Sequence, residues 1–323
     1  MNSIGGYFEL ADREEGQFPH INGVLLNTGR NALEYILRTI GTVRKVYLPY
    51  YTCEVELEPL TKLGIPYQFY RINEALEMVE PVSLGEDEYL IANNYFGLKD
   101  DYIKTLAAQY GGSLIVDCAQ AFFAQPILGV KMFYSCRKFV GVADGGVAYV
   151  QGSVCPEQML LSGEEPTSNH DSHLLIRKQK GAEAGFKDFQ TNECKLDAQP
   201  IRSMSHQTLD ILEHIDYEKV ATKRRENFEM LDKALGETNQ LKSPISNLVS
   251  PMVYPYWVPD GATLRAKLIE NKVFCARYWP NVLDWCTEAD LEYNLARNLV
   301  AIPCDQRYGV EDMQRIIDII NEQ

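Results

Sequence analysis

Ser113 to Gly146 reads SLIVDCAQAFFAQPILGVKMFYSCRKFVGVADGG, and the fold is read outward from it. The apolar run Leu114-Ile115-Val116 has the character of a strand buried on both faces of a parallel sheet. It ends on Asp117, a carboxylate placed where the strand emerges. In open α/β sheets ligands bind outside the carboxyl ends of the strands, so Asp117 is a candidate functional acid. Lys138 follows within Ser135-Cys136-Arg137-Lys138, ahead of a Gly-Gly turn and a second apolar run, Val147 to Val150.

Taken singly, Asp117 reads as a turn or cap residue and Lys138 as a solvated lysine. In this order they suit pyridoxal phosphate chemistry, in which a lysine holds the cofactor as a Schiff base. An acid keeps the pyridine nitrogen protonated, so that the ring accepts carbanion charge. The set Asp117, Cys118-Ala119, Gln120, Ser135 and Lys138 resembles the DegT/DnrJ/StrS sugar aminotransferases. Their pattern is an acid, two small residues, a Gln or His, and a Ser-containing turn leading to the lysine. The resemblance implies an α/β, fold-type-I pyridoxal-phosphate transferase. Residues 1–200 would form a large domain with a mainly parallel sheet, and 201–323 a linking helix and a small α/β domain.

The resemblance also implies roles. Lys138 and Asp117 would be catalytic, Gln120 would bond the ring's phenolic oxygen, and Ser135 would hold the phosphate. It implies a homodimer that moves an amino group from an amino acid, glutamate, to a keto-sugar linked to a nucleotide, in surface-polysaccharide or related sugar biosynthesis. Family members that dehydrate sugars commonly carry a His at the lysine position, so Lys138 leans towards transamination. The alternatives are sugar dehydration or other carbanion chemistry, and a non-catalytic binding or regulatory protein of the same fold.

Asn27-Thr28-Gly29-Arg30-Asn31 precedes a helix with Leu33, Ile36, Leu37 and Ile40 on one face. Asn and Thr cap such a helix, and its N-terminus is a ready anion site. By resemblance Gly29, Arg30 and Asn31 would cradle the cofactor phosphate, with Arg30 standing where the family usually has Thr. Arginine can replace the hydroxyl with a bidentate contact; it can equally face solvent. The strand Lys45 to Leu48 stops at Pro49, and a helix is expected from Tyr50 to Gly64. Pro49 and Thr52 match the family, but Cys53 occupies the place of the aromatic that stacks on the pyridine ring. Either Tyr51 or Tyr95 supplies that ring, or the cofactor packs on sulfur.

Further strands are expected at Pro66–Tyr70 and Glu88–Ala92, and a helix at Asp100–Tyr110. Strand-helix alternation from 23 to 150 argues for a covered, mainly parallel sheet. Right-handed crossovers then bring Arg30, Cys53, Tyr95, Asp117 and Gln120 to one edge. Residues 156–200 lose periodicity; Ser162 to Asn169 is read as a lid or inter-subunit arm. Helices are expected across Thr208–Leu235, with Lys223-Arg224-Arg225 solvated. Tyr7, Arg277 and Arg307 are candidate substrate residues, the arginines as anion clamps.

The chain has 323 residues, 45 acidic and 31 basic, for a net charge of -14. It is long enough for a large core and two domains. No basic excess exists to neutralise phosphates, which argues against nucleic acid. The acidic start lacks the apolar core of a signal peptide, and no apolar stretch is long enough to span a membrane. A cytoplasmic protein is expected. The eight cysteines form no Cys-x-x-Cys pair and His is scarce, so no metal site is expected. They read as free thiols. Cys136, beside Arg137 and Lys138, is either a thiol of lowered pKa or a small apolar filler.

Overall fold

The computed structural model describes residues 2–150, 171–241 and 248–322. The Ser162–Asn169 stretch therefore lies outside the described residues. The strands are β1 Ile4–Gly5, β2 Val24–Leu26, β3 Lys45–Pro49, β4 Tyr67–Tyr70, β5 Glu88–Asn93, β6 Leu114–Cys118, β7 Lys131–Ser135, β8 Gly146–Tyr149, β9 Tyr254–Trp257, β10 Val273–Phe274 and β11 Leu299–Ile302. Seven of them form one sheet in the order β2-β8-β7-β6-β5-β3-β4. The pairs from β7 to β4 are parallel, whereas β8 runs antiparallel to both β7 and β2. The sheet is thus mainly parallel, as the alternation of elements implies.

Side chains alternate across a strand, and the core divides accordingly. Leu90, Ala92, Leu114, Val116, Cys118 and Tyr134 pack on one face with Phe96, Phe122 and Phe139. Ile91, Ile115, Phe133 and Ala148 pack on the other, against Ala32, Leu33, Ile36 and Leu37 of the helix Gly29–Ile40. Both faces are covered, which is why these strands read as continuous apolar runs. β7 was not legible as a strand in the sequence reading. Its presence matters, because it sets Lys138 directly after a strand adjacent to β6.

The C-terminal part carries the antiparallel pair β9 and β11 under the helices Tyr217–Leu235, Gly261–Glu270 and Val310–Asn321. The amino-terminal segment crosses to it. β1 pairs in parallel with β10, and Ile4 is buried with Val273, Ile302 and Met313. Arg224 is not solvated as expected. It is fully buried, and its guanidinium donates to the Pro251 and Met252 carbonyls at 3.1 Å and to Gln306 at 2.8 Å. It also covers the Phe139 ring at 4.6 Å. The reason was visible in the spacing: Val220, Arg224, Phe228 and Leu231 share one helical face, and three of the four are apolar.

Among the described residues no helix is long and apolar enough to cross a membrane.

Candidate active site

The carboxyl ends of β3, β5, β6 and β7 converge on one edge of the sheet. Asp117 lies opposite Asn93 in the register of β6 and β5. Lys138 ends the short 3-10 turn Cys136–Lys138 that leaves β7. Cys53 follows β3 at the same edge. Burial pushes its thiol pKa up, the Lys138 ammonium pulls it down, and the Glu56 and Asp117 carboxylates push it up again. The acid and the lysine are therefore both within electrostatic reach of Cys53.

Each side chain is held by local structure. Asp117 Oδ1 accepts the Ala119 N–H at 2.6 Å, which turns the chain out of β6. Gln120 Oε1 accepts the Phe96 N–H at 3.1 Å, and its Nε2 is buried without a partner. A buried amide donor left unpaired is costly, so this one is placed to meet an acceptor from a ligand.

The helix Gly29–Ile40 begins beside the lysine turn. Thr28 is its cap, accepting the Asn31 N–H at 3.1 Å. A Cβ on Gly29 would lie 3.5 Å from the Ser135 Cβ, so the helix start abuts Ser135. β8 closes the same corner. The Gly145 N–H bonds the Asn27 carbonyl at 2.7 Å, and a Cβ on Gly146 would fall 2.1 Å from the Thr28 carbonyl oxygen. The Gly-Gly turn is thus a requirement of close approach. It presses the strand onto the helix N-terminus, whose free N–H groups suit an anion.

Three of the expected cofactor residues are otherwise engaged. Arg30 does not face this corner; its guanidinium is ion-paired with Glu58 at 2.8 Å and Asp197 at 2.7 Å. Two carboxylates hold it against the outer helix surface, so the phosphate contact expected of it is not made. The Asn31 side chain is spent on the Gln199 carbonyl and the Thr28 hydroxyl, leaving only backbone for an anion. Tyr95 is 2% exposed. Its ring packs on Tyr51 and Trp279 and its hydroxyl donates to the Tyr51 carbonyl at 2.8 Å. It supports the Cys53 loop from behind. Tyr51 is likewise buried, donating to the Tyr278 carbonyl. The expected helix from Tyr50 begins later, as a 3-10 turn Glu54–Glu56 followed by Leu57–Leu63, because Cys53 is extended.

A cavity of about 750 Å³ opens in front of Lys138. Ser135, Lys138 and Tyr7 line it, whereas Arg277 and Arg307 do not. Arg277 Nε donates to the Ala296 carbonyl at 3.2 Å. Arg307 is closed on Asp305 at 2.7 Å and on Glu9 at 3.2 Å, and donates to the Tyr7 carbonyl at 3.0 Å. Arg307 is thus engaged by carboxylates, and Arg277 by Nε alone; Cys53, Asp117 and Gln120 likewise do not line this cavity. Tyr7 faces the cavity by its ring, stacked on Phe189 with centroids 4.8 Å apart, while its hydroxyl bonds the Ala182 carbonyl.

The cavity has other cations that the sequence reading missed. Arg177 Nε bonds Glu9 at 2.8 Å and its Nη2 donates to the Gly5 carbonyl at 2.9 Å, while Nη1 is buried without a partner among the described residues. Arg137 is ion-paired with Glu193, and its Nε is also unpaired. Both line the cavity. No sequence signal marked Arg177, because the helix Ser172–Lys180 that carries it lies in the stretch without periodicity. Cys136 takes the bland alternative: it is fully buried and burial raises its thiol pKa.

No protein-family model matches the chain, and no curated protein does. Solved structures do. An aminotransferase, TlmJ, from Streptoalloteichus hindustanus has a TM-score of 0.66 at 15% identity, covering 99% of this chain and 98% of that one. A DegT DnrJ EryC1 StrS aminotransferase from Brucella abortus gives 0.58 at 16%, over 92% and 84%. NtdA from Bacillus subtilis, with bound cofactor PMP, gives 0.57 at 14%, over 92% and 72%. The chain has the fold of the fold-type-I aminotransferases. At these identities the likeness extends to the fold alone; the chemistry rests on the residues above.

Proposed function

We propose that the chain is a pyridoxal-phosphate-dependent aminotransferase, moving an amino group from glutamate to a nucleotide-linked keto-sugar in surface-polysaccharide or related sugar biosynthesis. The observation that carries this reading is that Asp117 lies at the carboxyl end of β6 and Lys138 on the turn leaving the adjacent β7, with both charges felt at Cys53 and Gln120 Nε2 without a partner among the described residues. These residues fit the cofactor. Gln120 offers a donor that lacks an acceptor, and the helix start at Gly29 with Ser135 offers a small, N–H-rich corner for a phosphate.

When bound, pyridoxal phosphate supplies an electron sink for charge developing at the amino donor's Cα. The chain's residues do the rest. Asp117 would hold the proton on the ring nitrogen. Gln120 Nε2 would donate to the phenolic oxygen. Lys138 Nζ would hold the cofactor between turnovers, then take the proton from the donor's Cα and return one in the second half-reaction. Cys53 would pack its sulfur where the resembling family has an aromatic. The unpaired N–H groups of Arg137 and Arg177 make the cavity a receptor for an anionic substrate, a donor carboxylate or the phosphates of a nucleotide.

In this reading the protein works in the cytoplasm as a homodimer, with the cofactor unit ending near residue 200. The test is the visible absorption spectrum of the protein with pyridoxal phosphate, and of Lys138→Ala, before and after glutamate. A visible band that needs Lys138 and bleaches with glutamate is expected. A band that ignores glutamate would point to another donor, to dehydration or to a binding role, and no band in either protein would overturn the reading.

A further inference from the structure

A second acid stands behind Asp117. Glu56 ends the turn Glu54–Glu56 and is 4% exposed. Its Oε1 accepts from the Thr52 hydroxyl and from Asn93 Nδ2 at 3.2 Å. Asn93 Nδ2 also donates to Thr52 Oγ1 at 2.8 Å, and Asn93 is the register neighbour of Asp117. Thr52, Asn93, Glu56 and Asp117 are therefore one buried cluster joining β3, β5 and β6. Glu56 Oε2 receives no donor among the described residues. Asn93, which bonds Oε1, is the register neighbour of Asp117 and so sets the two carboxyls side by side, close enough for Asp117 to raise the Glu56 pKa.

Two ionised carboxylates in contact, out of water, repel strongly. A single proton between them converts the repulsion into an O–H···O bond, as in other buried carboxyl pairs. The groups bearing most on Glu56 are Asp117, Thr52 and Asn93, none of them a cation. Cys53, Tyr70 and Tyr95 face it from the neighbouring elements. Burial first, and the Asp117 charge second, raise the Glu56 pKa well above the ordinary carboxyl range.

We propose that Glu56 is a positioning residue acting through Asp117: a neutral acid that donates its proton to the Asp117 carboxylate and so holds it in one orientation at the site. The consequence for cofactor binding rests on the pyridoxal-phosphate reading; the shared proton does not. The pair would carry one negative charge, enough to match one ring N–H, with no second charge left buried.

The test has two arms. Infrared spectra of the cofactor-free protein in the carboxyl region are compared for wild type and Glu56→Gln at pH 7. A protonated-carboxyl band present in wild type and missing in the variant is expected; its absence from wild type overturns the proposal. Pyridoxal phosphate affinity is then titrated by absorbance for wild type, Glu56→Gln and Glu56→Ala. The amide keeps a donor, so its affinity should stay within about threefold of wild type. Alanine removes the donor, and a loss of about tenfold or more is expected, the size of one hydrogen bond to a charged group. Equal affinity of Glu56→Ala and wild type overturns the positioning role. Should Glu56→Ala not fold, the amide and the infrared arm still decide. Wild type that shows the band but binds no cofactor overturns the functional reading and leaves the carboxyl pair standing.

Discussion

Gln120 is a side chain whose two ends have different fates: one anchors the Phe96 backbone and the other has nothing to bond. Removing it should cost the cofactor one hydrogen bond. Gln120→Ala is expected to weaken pyridoxal phosphate about tenfold, near 1.4 kcal/mol, measured by absorbance titration, with Lys138 still reactive. His20 gives a prediction independent of ligand. It is buried between the Phe122 carbonyl, which accepts from Nε2 at 2.5 Å, and the Tyr149 hydroxyl at 3.2 Å. Burial pulls its pKa down to about 4. Between the unfolded value near 6.5 and about 4, the unfolded chain binds a proton that the native chain does not. Stability therefore falls as pH falls through this window, by roughly 3 kcal/mol for a shift of this size. Urea midpoints from pH 7 to pH 4 should show the loss, and His20→Gln should flatten it.

At the scale of elements, the corner made by the helix Gly29–Ile40, the turn Cys136–Lys138 and β8 is the most constrained. Gly146→Ala would drive a methyl into the Thr28 carbonyl, 2.1 Å away. Backbone cannot yield as a side-chain tip would, so a destabilisation of about 2–3 kcal/mol is expected, with cofactor binding lost along with it. Thr28→Ala removes the cap and the bond its hydroxyl donates to Asn31 Oδ1, and should cost about 1–2 kcal/mol. Thermal melts of both variants would check the order. Much of this corner was legible in sequence, because Thr28, Gly29, Ser135 and the Gly-Gly turn are residues with few other uses. The direction of Arg30 was not. A guanidinium at that position finds whichever carboxylates lie within reach, and Glu58 and Asp197 come from distant parts of the chain.

The whole molecule is closed by long-range ties between its two ends. β1 pairs with β10, and Glu9 bonds both Arg177 and Arg307. Glu9→Gln should leave the buried Arg177 without its carboxylate, while Arg307 keeps Asp305, and lower the midpoint of unfolding; a cost of about 2 kcal/mol is expected. Arg224→Met would strip the donors from the carbonyls of Pro251 and Met252, with a cost of about 3 kcal/mol. Glu56 acts on the pH profile in the opposite sense to His20. Its folded pKa is raised, so above the unfolded value near 4.5 the native chain keeps a proton that the unfolded chain has released, and stability falls as pH rises. Wild type should therefore lose stability towards alkaline pH more steeply than Glu56→Gln, read as urea midpoints from pH 5 to pH 9.

The sequence by itself determined the strand-helix alternation from 23 to 150 apart from β7, the mainly parallel sheet, and the position of Asp117 at a strand end. Those depend on local patterns: apolar runs that end on a polar residue, caps, and glycine turns. Only the tertiary structure decided which cations reach the cavity, because Arg137, Arg177, Arg277 and Arg307 are alike in sequence. Each is assigned by the partner it meets, Glu193 for Arg137, Glu9 for Arg177, the Ala296 carbonyl for Arg277, and Asp305 with Glu9 for Arg307. The same holds for Glu56. Within its own segment it is one acidic residue among three, Glu54, Glu56 and Glu58, and it becomes chemically distinct because β3, β5 and β6 pack its carboxyl against that of Asp117. Contact energies between residues far apart in the chain leave no local pattern to read, and they are what set the charge and the reach of this site.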